Sequence, residues 1–384
     1  MIDSNLIERL RGIGLTNAHI QQLAQLEDTV TDAATMRIVE VQREGITLHD
    51  GHSEHAARQL PALRAALAEQ ADSLAVGDWV RATCNSYGEW WVHQRVPPLN
   101  QLARRLHDGR DKVVRTVIVS NVDTAVLVMG LDHDYNLRRL ERYVALARMA
   151  CIASVVVLTK RDLCPCAAQR LAEVQDMLPV DVPAVAVDAQ HDEPSQALRD
   201  WLQPGQTLVL LGSSGAGKST LTNALTNART NAHADALTHA TTDALTQTPV
   251  THKVQATGSN RAGDNRGRHT TVVRSMHQTA SGACIIDTPG LRTLRLDGDA
   301  SELGAAFDDI ARLALQCRFR DCGHGEEPGC AVRAAVSPER LRNYGRLLRE
   351  ARRDTLSALE RKSQLSQWKA RARNARARIE AKRG

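Results

Sequence analysis

No apolar run in this 384-residue chain approaches the roughly 18–20 residues a membrane-spanning helix needs, so a helical membrane protein is not expected. The opening MIDSNLIERLRGIG lacks the profile of a secretory signal, and the expectation is a cytoplasmic protein with no membrane partner. Cysteine is sparse. Eight residues without a secretory signal read as thiols or metal ligands, not as a disulfide framework. Net charge is small: 49 Lys and Arg against 44 Asp and Glu give +5, so any affinity for nucleic acid must come from local clusters. Aromatic residues are only 3% of the chain. The adjacent Trp90 and Trp91 could stack on bases, although a strand turns at least one of them into a core.

The length allows two or three domains. Residues 1–34 read as a helical N-terminal extension. Over 35–115, MRIVEVQREGITLHDG, VGDWVRATC and GEWWVHQRV alternate apolar and polar residues, which predicts short antiparallel strands of a small barrel. Between them SEHAARQLPALRAALAEQ reads as helix, and the basic run NQLARRLHDGRDKVVR closes the region. Over 116–300, β-branched runs alternate with helical segments: TAVLVMG, SVVVLTK, PAVAVD and TLVLLG. TVVRSMH and ACIIDTPG follow, separated only by QTASG. The pattern predicts a six-stranded α/β sheet, parallel except for the last pair. Residues 229–256 read as a flexible low-complexity insertion. A helical segment over 301–350 and a basic helical tail over 351–384 complete the chain. Residues 361–384 carry nine basic side chains and one acid, a composition suited to phosphate-backbone contact.

The motifs are more specific than the composition. LLGSSGAGKST has Gly-x4-Gly-Lys-Ser spacing, with a strand before it and a helix after. Backbone N–H groups of Gly212, Ser213, Ser214, Gly215, Ala216 and Gly217, with Ser219 and Thr220 at the helix start, would converge on phosphate oxygens. Lys218 would neutralise the β- and γ-phosphates, and Ser219 would ligate Mg²⁺. Asp287 in IIDTPG would hold the same ion through water while the N–H of Gly290 senses the γ-phosphate. GRHTT, residues 267–271, reads as a switch in which Thr270 or Thr271 completes the magnesium shell. Thr159, Lys160, Arg161 and Asp162 form the base reader: Asp162 can accept hydrogen bonds from guanine N1–H and the 2-amino group, and adenine offers neither. Lys160 would lie along the ring and brace the phosphate loop. Two positions depart from the usual pattern, Thr159 where Asn is common and Asp188 in the Val187-Asp188-Ala189 segment expected to clamp the guanine oxygen. Leu291 stands where many GTPases carry a water-orienting Gln, so His269 is expected to supply that function. The order base reader, phosphate loop, switch, DTPG is that of a circularly permuted GTPase. Parallel sheets gather ligand groups at the carboxyl ends of strands whatever the order of visit.

CRFRDCGHGEEPGC places Cys317, Cys322, His324 and Cys330 as Cys-x4-Cys-x-His-x5-Cys, the donor set of a closed tetrahedral zinc site. Cys164-Pro165-Cys166 reads instead as a thiol pair at a helix start. With the barrel, the permuted motif order, GRHTT and this cysteine knuckle together, the sequence resembles the ribosome small subunit-dependent GTPase A family over about residues 35–350. The resemblance implies a multidomain α/β protein with an OB-fold, a permuted GTPase domain and a zinc domain. It also implies docking on the small ribosomal subunit and its rRNA late in maturation, and the chain is expected to be a monomer. There it would hydrolyse GTP to GDP with Mg²⁺, stimulated by the subunit, and then be released. An RNA-binding scaffold that binds GTP or GDP with little turnover is the alternative, favoured by Leu291. An ATP-dependent enzyme is disfavoured by Asp162.

Overall fold

The computed structural model describes residues 4–26, 32–42, 45–107, 113–189, 193–226, 274–288 and 300–355. They belong to two compact units, Met1–Ala103 with Val117–Leu294, and Arg104–Thr116 with Arg295–Gly384.

The first unit begins with helices α1 (Ser4–Arg11) and α2 (Asn17–Gln25); Thr16 and His19 form a reciprocal capping box at the start of α2. Strands β1 (Ala34–Val41), β2 (Ile46–His49), β3 (Glu54–Gln59), β4 (Trp79–Cys84) and β5 (Trp90–Arg95) follow, with helix α3 (Pro61–Glu69) between β3 and β4. They pair in the order β1-β2-β3-β5-β4, and β4 returns to β1 to close a five-stranded barrel. Met36, Ile38, Leu48, Val80, Ala82 and Val92 fill it. Trp90 packs partly against this core, while the Arg58 guanidinium covers the Trp91 ring at 5.9 Å.

One expectation is corrected here: the start of SEHAARQLPALRAALAEQ is strand β3, and only its second half is helical. Pro61 occupies the first turn of α3 and holds Leu60 extended, at φ −61° and ψ 138°. The chain before it then pairs with β2, Ala57 opposite Ile46, and this long-range pairing overrides the helix propensity of Ala, Arg and Gln. The basic run also has its own structure. Strands β6 (Gln101–His107) and β7 (Val113–Ser120) form a separate two-stranded sheet.

The remaining strands of the first unit are β8 (Thr124–Gly130), β9 (Ala153–Thr159), β10 (Ala184–Ala186), β11 (Thr207–Leu211), β12 (Ser275–Gln278) and β13 (Cys284–Asp287). Their spatial order is β10-β9-β8-β11-β13-β12, parallel except for β12 against β13. This is the six-stranded sheet the sequence predicts. Helices α4 (Leu137–Met149), α5 (Ala167–Met177), α6 (Glu193–Ala197) and α7 (residues 218–226) lie along the chain between strands. Because helices cover a parallel sheet, its central strands are apolar on both faces. Every residue of β8 is buried, and Val126, Val128, Val155, Val157, Leu208 and Leu210 share one core with Leu221 and Leu225 of α7. β8 lies between β9 and β11, so the segments leaving those two strands emerge at the same end of the sheet.

Barrel and sheet are joined within this unit. β12 pairs with β1, Ser275 opposite Glu40. The fully buried Arg37 of β1 donates to the carbonyls of Gly77 (3.3 Å) and Asn121 (3.0 Å), to the Thr207 hydroxyl (2.9 Å) and to the Ile13 carbonyl, with Trp79 5.5 Å away. One guanidinium thus connects the end of α1, the barrel and the sheet.

The second unit contains α8 (Ala300–Ala306), α9 (Asp308–Ala314), α10 (Ala331–Ala335) and α11 (Pro338–Thr355). Its buried residues include Leu303, Phe307, Ile310, Val332, Leu347 and Ala351. Among the described residues no helix is long and apolar enough to cross a membrane.

Candidate nucleotide site and metal centre

β11 ends at Leu211 and α7 begins at Lys218, leaving residues 212–217 as the phosphate loop. Glycine is required where this loop crosses β8: a Cβ on Gly212 would stand 2.4 Å from the Val128 carbonyl oxygen. Gly215 and Gly217 have φ of 82° and 95°, a conformation other residues adopt only with strain. The Lys218 ammonium donates to the carbonyls of Gly212 (3.0 Å) and Ser213 (2.8 Å) and is buried. Burial lowers its pKa, opposed by the charges of Asp287 and Asp134. Asp287 ends β13 and is fully buried, and the neighbouring Thr288 hydroxyl donates to the Leu210 carbonyl at 2.6 Å. Asp287 and Thr288 are therefore tied to the strand that carries the phosphate loop. A buried carboxylate beside the loop lysine, with the Ser219 hydroxyl on the next helix position, is an all-oxygen donor set that fits Mg²⁺.

The segment expected to read the base meets this loop directly. Lys160 sits in the left-handed region at φ 60° and ψ 39°, turning the chain from β9 into a short 3₁₀ turn, Arg161–Leu163, on which Asp162 is exposed. The buried Thr159 hydroxyl donates to the Ala216 carbonyl at 2.6 Å, and the Lys160 ammonium donates to the Gly215 carbonyl at 2.7 Å. Two adjacent residues of one loop thus hold two adjacent residues of the other. Thr159, the departure from the usual Asn, has a definite task. Removing its hydroxyl leaves a buried carbonyl unsatisfied, at a cost of about 1–3 kcal/mol. Thr159→Ala is expected to weaken GDP binding by roughly tenfold in a fluorescent-GDP titration, with Thr159→Ser near the parent.

Two acids that sequence reasoning missed complete the arrangement. Asp132, in the segment after β8, accepts from the Lys160 ammonium at 2.8 Å. Burial pushes its pKa up, but the Lys160 hydrogen bond and charge, the Asp134 N–H and the nearby His133 together hold the carboxyl below its usual range. The buried Asp134 accepts from the Gly130 N–H (3.1 Å), from Arg139 and from the Ser213 hydroxyl of the phosphate loop. The available signal was GLDHDYN, two acids directly after an unbroken apolar strand. Beside the base reader, the Arg161 N–H donates to the Val187 carbonyl at 3.4 Å. Glu193 accepts from the Asp188 N–H (2.7 Å) and the Arg161 guanidinium (2.6 Å). His269, Thr270, Thr271 and Gly290 lie outside the described residues, as do Leu291, the 229–256 insertion and the tail beyond 355.

In the second unit Cys317 follows α9 and Cys330 caps α10. The ligand atoms of Cys317, Cys322, His324 and Cys330 all lie within 4.8 Å of one another. Cys317 Sγ and Cys330 Sγ are 3.9 Å apart and stand 3.7 and 3.6 Å from His324 Nδ1. Zinc bond lengths in a tetrahedron give edges of about 3.8 Å for S···S and about 3.6 Å for S···N. The three edges among Cys317, His324 and Cys330 match those lengths. His324 takes a left-handed φ of 57° between Gly323 and Gly325, whose N–H groups both donate to Glu327.

The LTKRDL turn, a phosphate loop and a DTPG acid gathered at one sheet end, in this chain order, define a circularly permuted P-loop GTPase. The RsgA GTPase family model matches residues 97–297. A protein of Xylella fastidiosa (strain M23) named small ribosomal subunit biogenesis GTPase RsgA is 39% identical over 317 residues, 81% of this chain and 86% of its own. One of Xanthomonas axonopodis pv. citri with the same name is 39% identical over 328 residues, 83% of this chain and 81% of its own. The chain belongs to the RsgA GTPase family, and it is a GTP-hydrolysing enzyme. Two crystal structures share the fold. YjeQ from Thermotoga maritima aligns with a TM-score of 0.57 at 21% identity, covering 83% of this chain and 98% of that one. YloQ, described as a circularly permuted GTPase, aligns with a TM-score of 0.53 at 22% identity, covering 86% and 99%.

Proposed function

We propose that this enzyme binds the small ribosomal subunit, assists its late maturation and hydrolyses GTP there at a rate the subunit stimulates. The name carried by relatives of 39% identity supports the partner. The observation that carries the chemistry is the joining of Thr159 and Lys160 to Ala216 and Gly215, which supports one site for guanine recognition and phosphate binding. Asp162 reads the base, residues 212–220 cradle the phosphates, and Ser219 and Asp287 hold Mg²⁺, which neutralises charge developing on the transferred phosphoryl group. His269 orients the attacking water, and Gly290 with Thr270 or Thr271 senses the γ-phosphate. Cys317, Cys322, His324 and Cys330 hold one structural zinc ion. The barrel acts as an OB-fold that contacts rRNA, and the tail adds phosphate contacts. The protein works in the cytoplasm as a monomer.

Phosphate release measured with and without small subunits tests this reading. Stimulated turnover is expected in the parent. Lys218→Ala is expected to lower it by roughly 10²–10³-fold, as loss of a preorganised charge-stabilising donor does. Turnover indifferent to small subunits would sink the proposed role, and full activity in Lys218→Ala would sink the proposed site.

A further inference from the structure

Cys164 and Cys166 follow the base-reading turn directly, and their sulfurs are 3.5 Å apart. Cys164 is buried and Cys166 exposed, and neither belongs to the thiol–imidazole cluster. We propose that this pair is an oxidisable site whose closure to a disulfide weakens guanine-nucleotide binding; the second half rests on Asp162 being the base reader.

The geometry supplies both parts of a peroxide-reactive site, an accessible sulfur and a resolving sulfur beside it. The exposed Cys166 sulfur attacks one oxygen of hydrogen peroxide, the O–O bond breaks, and a sulfenic acid and one water result. The Cys164 sulfur then attacks the sulfenic sulfur, its proton leaving with the displaced hydroxyl as a second water. Two thiols and one peroxide become one disulfide and two waters. The sulfurs must close from 3.5 Å to about 2.05 Å.

That movement reaches the nucleotide site by two routes. Cys164 caps the turn that carries Asp162: its N–H donates to the Arg161 carbonyl at 3.3 Å, and its carbonyl accepts from the Ala167 N–H at 3.2 Å. Cys166 is the capping residue of α5, and its carbonyl accepts from the Arg170 N–H at 3.0 Å. Arg170 in turn donates to the Leu131 carbonyl at 2.6 Å and lies 4.7 Å over the Tyr135 ring, on the segment that presents Asp132 to Lys160. Rotating the peptide groups around Pro165 therefore disturbs Asp162 itself and the support of Lys160.

Full-length protein is treated with hydrogen peroxide, free thiols are alkylated, and trypsin releases both cysteines in one peptide, Asp162–Arg170. The expected peptide carries no alkyl group and lacks two hydrogens. Fluorescent GDP is expected to bind roughly tenfold more weakly, within the usual range of coupling between sites, and dithiothreitol should reverse both changes. Peroxide also attacks the other thiols, so Cys166→Ser is treated in parallel. It should match the reduced parent before oxidation and keep its affinity after. A peptide alkylated at both cysteines overturns the proposal, as does an equal affinity loss in Cys166→Ser. If Asp162→Asn leaves GDP affinity of the reduced protein intact, the base-reader assignment fails, while the peptide mass still decides whether the disulfide forms.

Discussion

Asp162→Asn is expected to reduce the preference for GTP over ATP by roughly 10³–10⁴-fold, measured by competing the two nucleotides against fluorescent GDP. A site built to hydrogen-bond a polar group of its ligand rejects an analogue lacking it by roughly 10⁴–10⁵. A carboxylate accepts from N1–H and the 2-amino group of guanine together, with charge assistance. The amide keeps one acceptor and turns a donor toward a donor. Adenine offers neither group, so ATP affinity should change little and the loss should fall on GTP. The 3₁₀ turn that presents Asp162 is fixed by Lys160, whose ammonium is held between Gly215 and Asp132, so the substituted amide would sit in the same place. An unchanged ratio would show that another residue reads the base.

Purified protein is expected to contain one equivalent of zinc, and its removal by chelation, or Cys330→Ser, is expected to unfold the second unit. Structural zinc contributes about 10–16 kcal/mol at neutral pH, comparable with or larger than the whole stability of a domain, about 5–15 kcal/mol. Three of the unit's four described helices are short. Helices α8, α9 and α10 have seven, seven and five residues, lengths at which isolated helices do not persist in water. The cluster joins the end of α9 to the start of α10. Loss of far-UV helical signal with retained GDP binding, which resides in the first unit, would be the signature. Cys84→Ser, an exposed thiol outside the cluster, should keep its zinc. A metal-free parent, or full zinc in Cys330→Ser, would refute the assignment.

Much of this was legible because the informative contacts are local. The phosphate loop is a run of consecutive residues, and the knuckle holds its four donors within fourteen residues. What escaped were the long-range partnerships. Thr159 finds Ala216 57 residues away, Asp132 finds Lys160 28 away and Asp134 finds Ser213 79 away. Nothing in the spacing of those residues announces a pair. Strand β3 escaped for the same reason, since its Ala, Arg and Gln favour a helix until β2 and β5 stand beside it.

The continuous ladder from β10 through the barrel leaves few open strand edges along its length. Closing the barrel removes one end of the ladder, and the pairing of β12 with β1 covers what would otherwise be the flank of the GTPase sheet. The other terminus is β10, three residues long, which offers too few unpaired backbone groups to template a neighbouring molecule. Lengthening β10 by a few β-branched residues would accordingly turn a quiet rim into an adhesive one.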